Sequence, residues 1–251
     1  MFQRPKIILG LVIILTIAFL MFQVFGLDML SEFARFSIVP LLTYLYFLRT
    51  GDSRSYFFWF LAIYGIGEAL GGIGMLYYVT EYDLIDYLQF YGGNICYITA
   101  YFCLFLEVFK NVGLKKIFKR YPIHLIVLLI FDIYSVVLVS QVTLSTGYVI
   151  GLFDAIIEVV YNTVVMLLLT ITLINYISYD TKKAMNLLIG AICIVFSEVI
   201  QVAYFYITGE NILGIVYSVL YVIAFILFYL QSSMSYARVQ KFHTLKKLEE
   251  A

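Results

Sequence analysis

Apolar runs of about 20 residues recur from one end of the chain to the other, separated by short polar breaks. A helix of that length crosses a hydrocarbon core of about 30 Å at about 1.5 Å per residue. Reading each run against its breaks predicts helices over 7–26, 33–48, 56–79, 87–109, 122–142, 148–176, 184–207 and 212–235. No stretch remains for a separate soluble domain. The expected architecture is therefore an all-α integral membrane protein, with eight transmembrane helices in a single domain over 1–251. Arg4 and Lys6 ahead of the first run resemble the start of a signal peptide. That run is too long for such a peptide, however, and Phe25-Gly26-Leu27-Asp28 offers no small-x-small cleavage site, so it reads as the first helix.

Composition excludes a water-soluble reading: 63% of the residues are hydrophobic and 13% charged, against roughly one quarter charged in soluble domains. The net charge of zero conceals an asymmetry between connections. Arg4 and Lys6, Arg49 and Arg54, Lys110, Lys115, Lys116, Lys119 and Arg120, and Lys182 and Lys183 occupy alternate connections. Arg238, Lys241, Lys246 and Lys247 occupy the tail. The other connections hold Asp28, Glu32, Glu81, Asp83, Asp86 and Glu210, with Arg35 as the basic exception. Fifteen of the 16 basic residues thus lie on one side, which predicts both termini in the cytoplasm by the positive-inside rule. Short loops favour a bacterial cytoplasmic membrane, although a eukaryotic endomembrane would carry the same bias. The bilayer and a membrane lipid are the expected partners, and no nucleic acid is expected.

Candidate chemistry lies in acids placed inside the apolar runs, where each ionisable group costs roughly 2.5–3.5 kcal/mol at the helix centre. Glu68, Asp132, Glu158 and Glu198 fall near mid-membrane and Asp154 nearer the outer face, with no lysine or arginine expected at that depth. Burial disfavours the charged form of an unpaired carboxylate, so some of these should be protonated or neutralised by a cation. Asp154, Glu158 and Asn162, spaced i, i+4, i+8, share one helical face. They form either the wall of a polar cavity or interhelical hydrogen bonds that fix packing. Asp132 is open to the same two readings, Asn94 and Gln201 read as interhelical glue, and His124 as a solvated interfacial side chain.

Gly65, Gly67, Gly71, Gly72 and Gly74 crowd around Glu68, letting helices approach or leaving space beside the acid. Cys96, Cys103 and Cys193 fall inside predicted helices and read as packing residues, while Tyr77, Tyr78, Tyr82 and Tyr204 suit interfacial anchors. No phosphate-binding glycine loop, zinc-spaced cluster, G-x-S-x-G serine or retinal-holding lysine in the last helix is present. Of the three prolines, only Pro40 lies inside a predicted helix.

The two halves also resemble each other. Residues 96–101 can be laid on 220–225, with Glu68 and Glu198 at matching depth and 78–81 matching 206–210. Four helices per half would make the repeats parallel, about an axis along the membrane normal.

Gly190-Ala191-Ile192-Cys193-Ile194-Val195-Phe196-Ser197-Glu198 resembles the G-A-x-x-F-x-x-S-D segment of the YhhN-like, or lysoplasmalogenase, family of eight-helix membrane proteins. Gly67-Glu68 falls where that family has Gly-Asp, and Gly93 to Ala100-Tyr101 resembles its glycine followed by an Ala-His pair. Arg35, five residues before Pro40, stands where the family has a lysine. Both family aspartates are glutamates here and the histidine is Tyr101, so this chain would be a divergent member.

The resemblance implies hydrolysis of the vinyl ether bond of a lysoplasmalogen, with Glu68 and Glu198 as acid and base in unassigned order. It further implies Tyr101 and Ser197 as orienting groups, and Arg35, at the outer edge, as holder of a lipid phosphate or an ordinary interfacial arginine. Arg35, Asn94, Asp132, Asp154, Glu158 and Asn162 are the candidate substrate-binding residues. No cofactor is expected, and a divalent cation among the carboxylates stays open. Two other classes compete: a proton- or cation-coupled transporter, suggested by the buried acids and the repeat, and a non-catalytic ligand sensor or scaffold.

Overall fold

The computed structural model describes residues 4–76, 88–112, 122–145 and 151–234. Several sequence expectations lie outside these residues. They are the predicted helix ends at 77–79, 87, 148–150 and 235, the segment 78–81, Tyr77, Tyr78 and Tyr82, the acids Glu81, Asp83 and Asp86, the basic residues of 115–120 and those of the tail. The side chains of Arg4, Asp28, Tyr206 and His124 and the surroundings of Gly74 lie outside them too.

Every regular element among the described residues is helical. In chain order they are α1 (Arg4–Val24), α2 (Asp28–Thr50), α3 (Tyr56–Leu76), α4 (Gly93–Phe109), α5 (Pro122–Ser145), α6 (Leu152–Tyr179), α7 (Lys182–Ala203) and α8 (Asn211–Ser232). A π-helical turn, Leu88–Gly92, leads into α4, and a second, Tyr204–Thr208, ends α7. Six of the helices, α1 and α4 to α8, are each long and apolar enough to cross a membrane. Large apolar side chains also cover the outside, Ile14, Ile123 and Ile130 each being more than 60% exposed. Soluble monomers rarely expose apolar patches beyond a few hundred Å². This is the make-up of a multi-pass integral membrane protein.

Sequence and structure differ most at α2, which begins at Asp28 rather than near 33. The polar residues of 28–32 break the apolar run, but Ser31, Glu32 and Arg35 recur at helical spacing and turn inward. Ser31 is fully buried and donates to Gln23 Oε1 at 2.8 Å. Arg35 is consequently a helical residue inside the bundle and not part of a connection. Pro5 and Pro122 lie within the first turns of α1 and α5, where proline removes no intrahelical hydrogen bond.

Neighbouring helices pack in the order α1, α2, α3, α4, α6, α7, α8 and back to α1, with α5 laid against α6. An aromatic cluster fills the middle. Phe60 stacks on Phe225 at 5.9 Å, and Tyr64 lies 4.8 Å from Phe225 and 5.7 Å from Tyr101. Apolar lipid tails give helices no hydrophobic reason to associate, so close packing of this kind holds the bundle. Glycines permit it: a Cβ on Gly190 would come within 2.6 Å of the Phe228 ring, and one on Gly65 within 3.2 Å of the Pro40 ring.

Packing is uneven along the bundle. The buried residues of α6 run from Val165 to Asn175 and those of α7 from Ala184 to Ser197, so both helices are packed in the halves that lead to the Asp180-Thr181 joint. The opposite halves, 152–164 of α6 and 198–203 of α7, contain no buried residue. The space between them is where the polar side chains gather.

Candidate functional site: two adjoining chambers

Two chambers of about 220 and 400 Å³ meet in that open half. Arg35, Phe90, Asn94, Tyr97 and Gln201 form their common wall. Glu68 and Glu32 face the larger chamber, and Glu198 and Glu158 the smaller. Gly71, beside which no atom lies within 4 Å of an added Cβ, leaves the space next to Glu68, whereas Gly67 and Gly72 admit Tyr97 and Phe36.

Glu68 does not lack a counterion, contrary to the sequence expectation. Arg35 Nε lies 3.1 Å from Glu68 Oε2, and Arg35 Nη2 donates to Glu68 Oε1 at 3.2 Å. A weaker contact, 3.4 Å, joins Arg35 Nη1 to Glu32 Oε1 one helical turn earlier. The guanidinium also lies 5.1 Å over the Tyr221 ring, a favourable cation–π placement. Tyr97 completes the shell, its hydroxyl donating to Glu68 Oε1 at 3.3 Å. Arg35 is only 7% exposed, so it lies inside the bundle rather than in a connection. It was misplaced because a one-dimensional reading counts it among loop charges, whereas the inward face of α2 carries it to the centre.

Glu198 has a different environment. Tyr101 donates to its Oε1 at 2.5 Å, and Tyr161 is hydrogen-bonded to the same carboxylate. Tyr101 is fully buried beneath it, held edge-on by Tyr64 and Tyr161. One carboxylate therefore sits against a guanidinium and the other against phenolic hydroxyls.

On α6, Glu158 and Asn162 fulfil both readings of their shared face. They line the smaller chamber, and Asn162 Nδ2 donates to Glu158 Oε1 and to Ser140 Oγ on α5, each at 3.1 Å. Thr143 on α5 donates to the same Glu158 oxygen at 3.1 Å. Asp154, one turn before Glu158, accepts from the Tyr91 hydroxyl and, at 3.0 Å, from the backbone N–H of Gly151, which caps the helix. Asn94 lines both chambers while its Nδ2 donates back to Phe90 O at 2.7 Å.

Two expected site residues fall elsewhere. Ser197 is buried between α7 and α8, its hydroxyl donating to the Tyr217 carbonyl at 2.8 Å, because its position on α7 faces the neighbouring helix. Asp132 is buried where α5 meets α6 and accepts from Thr170 at 2.7 Å, off the wall of either chamber. Tyr97 and Tyr161, in contrast, were not singled out by sequence. The available signal was spacing: Tyr97 precedes Tyr101 by one turn and Tyr161 follows Glu158 by three residues. Among 23 tyrosines that spacing selects nothing unless the partner helix is known.

Among the described residues no three His, Cys, Asp or Glu side chains converge to hold a metal ion, and Arg35 supplies the positive charge facing the acids. Cys96, Cys103 and Cys193 are free thiols. The chain matches no protein-family model, no curated protein and no solved structure.

Proposed function

We propose that this chain spans the membrane eight times with both termini in the cytoplasm, and that it is a lysoplasmalogenase-like hydrolase acting on the vinyl ether bond of a lysophospholipid. The placement of 15 of the 16 basic residues supports the topology. A parallel 4+4 repeat is supported by neighbour order, since α1 to α4 and α5 to α8 each pack consecutively.

The observation that carries the catalytic reading is the pair of carboxylates Glu68 and Glu198, on α3 and α7, facing adjoining chambers with unlike partners. Unlike environments for two carboxyl groups are how acid and base roles are separated. Glu198, with hydroxyl partners, is the proton donor to the vinyl carbon β to the ether oxygen. Glu68, charge-paired with Arg35, is the carboxylate that directs water at the resulting oxocarbenium carbon. The hemiacetal then collapses, releasing fatty aldehyde and the glycerophospho head group, so that one water is consumed per bond cleaved. Tyr101 orients the Glu198 carboxyl group. The resemblance in 67–68, 93–101 and 190–198 supports the same reading.

The test is fatty aldehyde release from lysoplasmalogen by the purified protein, beside Glu68→Gln and Glu198→Gln. Release by the parent and loss of at least tenfold in both variants supports the hydrolase. A folded parent that releases none across pH and divalent cations sinks it.

A transporter is the second reading, favoured by the π-helical turn Leu88–Gly92, since such turns concentrate at functional sites and its Phe90 lies on the common wall. It predicts pH-dependent flux by sealed proteoliposomes with no aldehyde formed.

A further inference from the structure

We infer that the smaller chamber opens sideways into the bilayer between α5 and α7, and that this opening is a binding slot for the single hydrocarbon chain of an amphiphile whose polar end lies at the charged wall. The chamber has a mixed lining. Arg35, Ser135, Glu158, Asn162, Glu198 and Gln201 contribute polar groups to it, and Val139 of α5 and Val195, Val199 and Val202 of α7 contribute apolar ones. Val199 lines the chamber yet is 40% exposed, and its neighbours on the outer face of the same helix, Ile192 and Phe196, are exposed as well. At Val199 the chamber wall thus continues into the apolar outer surface of α7.

The helix packing explains why the gap exists. α6 and α7 meet at the Asp180-Thr181 joint and are buried only in the halves leading to it, so their far halves leave the chamber between them. α5 is laid on α6 and contributes Val139 to the lining on one side of this space, with α7 on the other. An apolar slot facing lipid tails and ending on charges fits a molecule with one chain and one polar end, and the two adjoining chambers, about 220 and 400 Å³, together reach the range of small-ligand sites, roughly 300–1,000 Å³. The inference rests on the membrane-spanning reading, and it holds whether or not a bond is cleaved.

The experiment uses the full chain in lipid nanodiscs and a saturated alkyl-ether lysophospholipid with a diazirine at the chain end, which the proposed hydrolysis cannot consume. Photolabelling is mapped by peptide mass spectrometry with and without a tenfold excess of unlabelled probe lipid or of a two-chain phospholipid. The expected result is labelling around Val139, Val195 and Val199 that the single-chain competitor removes and the two-chain lipid does not. Val199→Trp, at a half-open position that tolerates bulk, should reduce that labelling at least fivefold while labelling at Ile130 and Ile192 stays unchanged. Labelling at the three valines no more competable than at Ile130, or unaffected by Val199→Trp, overturns the slot. Competable labelling together with no aldehyde release in the earlier assay would overturn the hydrolase and leave the slot standing.

Discussion

Arg35→Met is the perturbation that tests the centre of the site most directly. It leaves Glu68, 3% exposed, with Tyr97 at 3.3 Å as its remaining described hydrogen-bond donor. Removing one partner of a buried ion pair costs about 3–5 kcal/mol, because the other charge stays desolvated and uncompensated. Loss of the guanidinium from the Tyr221 face adds about 0.5–2 kcal/mol. Glu68→Gln should cost less, since Arg35 keeps Glu32 at 3.4 Å and that carboxylate is a quarter exposed. The double variant removes both charges while glutamine still accepts from Tyr97, so it should be more stable than Arg35→Met alone. The double-mutant cycle then gives a coupling energy of about 2 kcal/mol or more. Unfolding by denaturing detergent in mixed micelles, followed through Trp59, the sole tryptophan, measures all four proteins. If the single losses simply add in the double variant, the pair is not coupled and the central placement of Arg35 is refuted.

Tyr101→Phe removes the 2.5 Å hydrogen bond to Glu198 without changing ring packing, so a loss of about 0.5–1.5 kcal/mol is expected in the same titration. Under the hydrolase reading it should also lower aldehyde release, whereas Ser197→Ala, away from the chambers, should alter stability but leave turnover per folded molecule unchanged. Gly190→Ala drives a methyl group into Phe228 and should cost about 1–3 kcal/mol, while Gly71→Ala meets open space and should be neutral or stabilise by up to about 1 kcal/mol. Equal thermal stability of these two glycine variants would contradict the packing described. With Cys96, Cys103 and Cys193 replaced by alanine, a membrane-impermeant maleimide applied to intact cells should label Glu210→Cys and spare Asp52→Cys. The reverse pattern would invert the topology.

The sequence by itself determined the class and the ingredients. Apolar runs of membrane-spanning length, basic residues gathered in alternate connections and acids stranded among leucines and valines are properties of linear composition, because transfer to hydrocarbon depends on each segment's own residues. Eight helices were legible for that reason, as was the shared face of Asp154, Glu158 and Asn162, which is set by helical spacing alone. What each acid meets was decided only by tertiary structure. Glu68 and Arg35 are 33 residues apart, Tyr101 and Glu198 are 97 apart, and nothing local distinguishes Tyr161 from a tyrosine at the membrane interface. The start of α2 was lost to the same cause: its charges read as a break along the chain and become an inward face only when α3, α4 and α8 surround them. Ser197 and Asp132 show the converse, being polar residues at suggestive positions whose helical phase turns them into packing contacts. Hydrophobic length is additive along a chain, whereas the partner of a buried charge depends on which helix faces which, and that is a property of the packed bundle.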